Sequence, residues 1–163
     1  MKMTIDLNTE RMSGAGADNG YNLLFGLNDF CLEYIESCAK MLELGCHQGV
    51  STELFSYHAN TVHTLDIQAR PQRLNRCLNV RHYQGKFKDI LPSFKEGSFD
   101  LVYIDGNHGY EDVVTDIKDA LPLLKKGGVM SGHDYYTEVG RAVKDSLKVD
   151  PKIFTDSTWA IRL

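Results

Sequence analysis

The chain has 163 residues, 42% of them hydrophobic and 25% charged, with a formal net charge of −4. That length fits one domain, here residues 1–163, able to bury an ordinary core without disulfide or metal staples. The negative balance, with no Lys/Arg run or aromatic–basic stripe, argues against a nucleic-acid partner.

The first twenty residues, polar and glycine-containing from Ser13 to Gly20, read as an arm or lid rather than a packed element. From Leu23 to Cys38 apolar residues recur at helical spacing (Leu27, Phe30, Cys31, Tyr34, Ile35), which predicts an amphipathic helix. Short apolar strands then alternate with helices. Strands are expected at Met41–Leu44, Thr61–Asp66, Val80–Gln84, Phe99–Asp105 and Gly128–Gly132. Helices are expected from Val50 to Tyr57, from Tyr110 to Leu121 and from Val139 to Leu147. Pro122 should end the second of these, with Lys125-Lys126-Gly127-Gly128 as its cationic, glycine-rich stop. Lys152–Thr155 and Thr158–Leu163 are strand-like and separated by two residues, so they must pair as an antiparallel hairpin. The sum is an α/β fold: a mostly parallel, seven-stranded Rossmann-like sheet, helices on both faces and an antiparallel C-terminal strand.

Cys31, Cys38, Cys46 and Cys77 form no CxxC pair, so neither a zinc knuckle nor a redox dithiol is expected. No charged-then-apolar leader and no apolar run of transmembrane length is present, which predicts a cytoplasmic protein without a membrane partner.

Glu43-Leu44-Gly45-Cys46-His47-Gln48-Gly49 joins the first strand to the next helix, at the sheet edge where open parallel sheets bind ligands. A dinucleotide fingerprint aligned on Gly45 would need glycines where His47 and Val50 stand. Glu43 beside the turn would repel a pyrophosphate but suits a ligand carrying an ammonium and a sulfonium. S-Adenosylmethionine is therefore favoured over NAD, and Asp66, ending the second strand, is placed to accept ribose hydroxyls. The plain alternative is a tight turn and a loop-capping aspartate.

Two further strand ends carry chemistry. Asp105-Gly106-Asn107-His108 and Ser131-Gly132-His133-Asp134 would bring Asp105, His108, His133 and Asp134 to one mouth. Carboxylates there offer hard oxygen ligands for Mg²⁺ or Mn²⁺, and an imidazole titrates near neutrality. Alternatively, Asp105 and Asp134 cap the helices that follow them. His58, His63 and His82 have no evident companions, and Trp159 reads as core or interface.

ELGCHQGVST followed by FDLVYIDGNHGYEDVVTDIKDALPLLKKGGVMSGHDYY resembles the class I methyltransferases, in the small O-methyltransferase group related to macrocin-type sugar methyltransferases. The resemblance spans roughly residues 40–163 and rests on the DG-x-H…D…GG…HD arrangement. It implies that Glu43, Gly45 and Gly49 hold the methionine part of S-adenosylmethionine and Asp66 the ribose, with Cys46, Phe87 and Asp105 also at the cofactor. It implies Asp105, His133 and Asp134 as metal ligands, and His108 with Asp105 as the catalytic pair. Two positions depart from the pattern: His133 replaces an acid, and Lys86 replaces a small or acidic residue near adenine. The expected partner is a hydroxylated small molecule; the alternatives are a non-catalytic S-adenosylmethionine-binding module and a Rossmann-type NAD dehydrogenase. Its pocket would draw on the first forty residues or on a second copy of the chain, with the apolar strand at Thr158–Leu163 as the surface for self-association.

Overall fold

The computed structural model describes Leu7, residues 24–36 and residues 39–163. Five parallel strands form its centre: β1 (Lys40–Leu44), β2 (Thr61–Asp66), β3 (Val80–Gln84), β4 (Phe99–Ile104) and β5 (Leu124–Gly132). A hairpin of β6 (Lys152–Ile153) and β7 (Trp159–Arg162) completes a seven-stranded sheet in the order β3-β2-β1-β4-β5-β7-β6. β7 runs antiparallel to both of its neighbours.

Both faces of the sheet are covered, so successive side chains of the central strands β1 and β4 are buried whichever way they point. Side chains alternate across it. Met41, Leu101, Tyr103, Val129 and Ala160 meet α1 (Leu24–Tyr34) and α2 (Val50–His58) on one side. Leu42, Leu44, Val102, Ile104, Met130 and Ile161 meet α4 (Tyr110–Ala120) and α5 (Glu138–Leu147) on the other. A four-residue helix, α3 (Phe87–Ile90), follows β3. β1 and β4 are adjacent while the chain crosses over between them, so the switch point falls at their C-terminal ends.

Three expectations need correction. The segment Lys125–Gly128 does not stop a helix; it lies within β5, which begins at Leu124. Its extra residues bulge out between the Phe99–Leu124 and Leu101–Val129 pairings, with Gly127 in the left-handed region at φ 78°. Lys125 pairs with Asp100 at 2.6 Å, so its charge serves the neighbouring strand rather than a helix end. The α4 helix itself stops at Ala120, and Pro122 sits in a 3₁₀ turn, Leu121–Leu123, that leads directly into the strand.

The run from Thr158 is not an open edge. β7 lies between β5 and β6 and Trp159 is fully buried, so Trp159 is core, and Leu163 is the exposed apolar side chain of that run. His63, too, has companions: it is buried, stacks on Tyr83 and meets Phe94 and Phe99 edge-on. Its Nδ1 lies 3.0 Å from the Tyr83 hydroxyl.

The expected helix over 23–38 is observed from Leu24 to Tyr34; Leu23 and Cys38 lie outside the described residues. So does the expected arm over 1–20 except Leu7, which packs partly buried against the α1–α2 side of the core. Among the described residues no helix is long and apolar enough to cross a membrane.

Candidate active site

The C-terminal ends of β1, β2, β4 and β5, with the loop after β3, open onto a cleft of about 880 Å³. Its floor is the turn after β1. Gly45 has φ 91°, and a Cβ there would sit 2.2 Å from the Asp105 carbonyl oxygen. The glycine thus lets the β1 and β4 ends pack against each other, and only glycine takes this backbone without strain. Gly49, also left-handed, closes the turn at the start of α2, where no side chain caps the helix.

Asp66 organises this turn. Its Oδ2 accepts from the backbone N–H groups of Cys46 and His47 at 3.0 and 2.8 Å, and its Oδ1 from Gln68 at 2.8 Å. The carboxylate borders the cleft while holding the turn in shape, because two aligned N–H donors give a charge-assisted clamp. Cys46, His47 and Phe87 border the cleft as well, and Phe87 lies against Gly106.

Glu43 does not reach the cleft. It is fully buried beneath the turn, where Ser51 and Thr52 donate to its two oxygens at 2.5 Å each. Burial, only partly offset by those hydroxyls, pushes its carboxyl up to about 7. Its geometry is that of a tie between β1 and the first turn of α2, so the argument from a carboxylate facing the ligand does not apply to it.

On the far wall, Asp105, His108 and Asp134 converge. His108 Nε2 lies 3.2 Å from Asp134 Oδ2 and 3.6 Å from Asp105 Oδ1. A donor atom from each of the three lies within 4.8 Å of the others. Neither aspartate caps a helix: Gly109 precedes α4 with no side-chain cap, and Thr137 caps α5 by accepting from the Val139 N–H. Asp134 instead takes a left-handed backbone, φ 58°, which turns its side chain toward His108. The Asp105 hydrogen bond, opposed by partial burial and supported by Asp134, raises the His108 pKa.

His133 stands behind this group. It is 3% exposed, with Nδ1 3.4 Å from Asp134 Oδ1 and Nε2 3.6 Å from Asp156 Oδ2. Burial alone would lower its pKa, but the two carboxylates outweigh that and raise it to about 10. Asp156, at the hairpin turn, was not among the residues singled out from sequence. Nor were Ile67, Asn107 and Thr137, which lie in loops, or Asp112, in the first turn of α4, all of which also border the cleft.

A parallel sheet with its switch point at β1/β4, a glycine turn and an acid ending the adjacent strand define the class I fold of S-adenosylmethionine-dependent methyltransferases. The methyltransferase-domain family matches residues 42–135, more than half of the chain; the chain belongs to that family and is a methyltransferase of this kind. The dehydrogenase alternative is set aside accordingly. Among solved structures it is similar to cofactor-bound Rv0187 from MTB, with TM-score 0.67 and 21% identity over 94% of this chain and 83% of that one. An O-methyltransferase from Bacillus cereus in complex with SAH matches with TM-score 0.66 and 16% identity, covering 88% and 84%. MycE methyltransferase of the mycinamycin biosynthetic pathway, in complex with Mg, SAH and mycinamycin VI, matches at TM-score 0.51 and 21% identity, covering 68% of this chain and 32% of that one. These likenesses are of fold. No curated protein matches the sequence.

Proposed function

We propose that this methyltransferase transfers a methyl group to a hydroxyl of a small molecule such as a sugar or polyol-bearing metabolite. The observation that carries the reading is the His108 imidazole held between Asp105 and Asp134 on the wall of the cleft. The residues fit S-adenosylmethionine: the cleft volume lies in the range of ligand sites, its turn offers backbone close to the ligand, and Ile67 and Phe87 supply apolar walls. Bound there, the cofactor supplies an already activated methyl on its sulfonium. The chain's own task is to align the acceptor oxygen and remove its proton. Alignment is worth several kcal/mol through effective molarity, and His108 takes the proton at Nδ1, while its Nε2–H faces the two carboxylates, which stabilise the imidazolium that forms.

A second reading rests on the same three side chains. Two carboxylates and one imidazole nitrogen within 4.8 Å of one another are a donor set for Mg²⁺ or Mn²⁺. Asp105 and Asp134 would hold the ion with His108, rather than His133, as the third ligand, and the ion would acidify and orient the acceptor oxygens. MycE, whose structure is in complex with both Mg and SAH, offers a parallel within the fold. A thermal-shift series with S-adenosylmethionine, S-adenosylhomocysteine and NAD, each with and without Mg²⁺, separates these accounts, since any ligand of the native state raises its stability. Stabilisation by the first two and not by NAD is expected. A further shift with Mg²⁺ favours the metal reading, whereas methyl transfer to hydroxylated acceptors that survives EDTA favours His108 as base. Absence of any shift with either adenosyl compound would overturn the proposal.

A further inference from the structure

The turn of the C-terminal hairpin reaches the back of the candidate active site. Asp156 is 1% exposed and has its carboxylate fixed on three sides. Thr158 donates to it twice, from N–H to Oδ1 at 3.1 Å and from Oγ1 to Oδ2 at 2.8 Å. The Thr158 hydroxyl lies 3.2 Å from the Tyr103 hydroxyl, on β4, the strand that leads into Asp105. Helix α1 closes the remaining side: a Cβ on Gly26 would sit 2.3 Å from Asp156 Oδ1, so the helix can approach only because position 26 has no side chain. The other Asp156 oxygen faces His133 Nε2 at 3.6 Å, and His133 Nδ1 faces Asp134 at 3.4 Å. The backbone repeats the link, with the Tyr135 N–H donating to the Ser157 carbonyl at 3.2 Å.

We infer that Asp156 is a positioning residue for the reaction: by orienting the His133 ring it fixes Asp134, and through Asp134 the His108 side chain, without itself bordering the cleft. This rests on the proposed role of Asp134 and His108. A buried carboxylate in a hairpin turn is costly to keep unless its partners repay the desolvation. Here the partners are one imidazole and one threonine, and that imidazole's other nitrogen faces a cleft side chain. Outer partners of this kind set ring orientation in histidine-containing sites.

The test uses the full chain and the near-isosteric Thr158→Val, which removes one hydroxyl from Asp156 and touches no cleft residue, with Thr158→Ser and Asp156→Asn alongside. Ring resonances of His108 and His133 are followed by carbon–proton NMR and assigned with His108→Gln and His133→Gln. Calorimetry with S-adenosylhomocysteine is run on each variant. The expected result is that Thr158→Val and Asp156→Asn shift the His108 resonances as well as those of His133, that Thr158→Ser restores them, and that S-adenosylhomocysteine affinity is unchanged. Movement of His133 with His108 unperturbed would overturn the inference, as would a shift that Thr158→Ser fails to rescue. The readout involves no methyl transfer, so wild-type protein that fails to bind S-adenosylhomocysteine would count against the proposed function and leave this result to be read separately.

Discussion

His108 and Asp66 are the side chains whose removal separates chemistry from binding. His108 is half exposed, with Asp105 and Asp134 as its ion-pair partners, so His108→Ala should leave the core intact. Turnover should fall by about 10²–10⁴-fold, the range for a lost general base, while calorimetry finds S-adenosylhomocysteine affinity unchanged. A fall in affinity equal to the fall in rate would assign His108 to cofactor binding instead. Asp66→Ala should act on binding, because it removes both the expected ribose acceptor and the clamp on the Cys46 and His47 N–H groups. Hydrogen bonds to a charged group are each worth about 1.5–3 kcal/mol, so affinity should drop at least about 10-fold by calorimetry. An unchanged affinity would place the ribose elsewhere. Asp105, His108 and Asp134 were legible in the sequence because strand ends of a parallel sheet must meet at one edge, and short loops keep their side chains there. Glu43 was legible as a residue of the turn but not as a buried tie, since its hydroxyl partners Ser51 and Thr52 look like unremarkable helix residues. Asp156 was invisible for another reason: its partner His133 is brought to it only by the pairing of β7 with β5.

The turn after β1 is the element on which the cleft depends, and Gly45 is its tightest point. Gly45→Ala would place a methyl 2.2 Å from the Asp105 carbonyl and force a left-handed backbone on a non-glycine residue. Strain and overpacking together should cost about 2–4 kcal/mol in urea unfolding, with loss of S-adenosylhomocysteine binding as the turn shifts. Unchanged stability with lost binding would show that the glycine is there for the ligand rather than for Asp105. Some elements were read closely: β2 and β3 match residue for residue. The Lys125–Gly128 segment was misread because cations followed by glycines end a helix and also form a bulge. Local sequence does not separate the two; the helix had already ended at Ala120, and the strand needed the excursion to re-register against β4. The run Thr158–Leu163 was misread as a free surface because alternation reveals a strand but not how many neighbours it has.

At the scale of the whole molecule, two buried titratable groups set opposite pH dependences of stability. His63 is buried among Tyr83, Phe94 and Phe99, and burial, with help from Lys40 and Arg81, lowers its pKa to about 4. The unfolded chain, with an ordinary histidine near 6.5, then binds more protons than the folded one between about pH 4 and 6.5. Its contribution is full above that window and is lost as pH falls through it. Glu43 works the other way. With its carboxyl raised from 4.5 to about 7, the folded state binds more protons between those values, and its contribution is lost as pH rises through the window. Each shift corresponds to something on the order of 3 kcal/mol, so over pH 4.5–6.5 the two slopes largely cancel. Other groups add to the wild-type profile, among them Asp116, whose carboxyl burial raises to about 7, so each variant is read as its change in slope from the wild type. His63→Phe should unmask the carboxyl, giving stability that falls as pH rises from 4.5 to 7. Glu43→Gln, which keeps a partner for Ser51 and Thr52, should unmask the imidazole, giving stability that rises with pH up to about 6.5. If both variants keep the wild-type slope, neither group is held buried as described. If only Glu43→Gln changes it, the His63 ring is reached by water despite its aromatic surroundings.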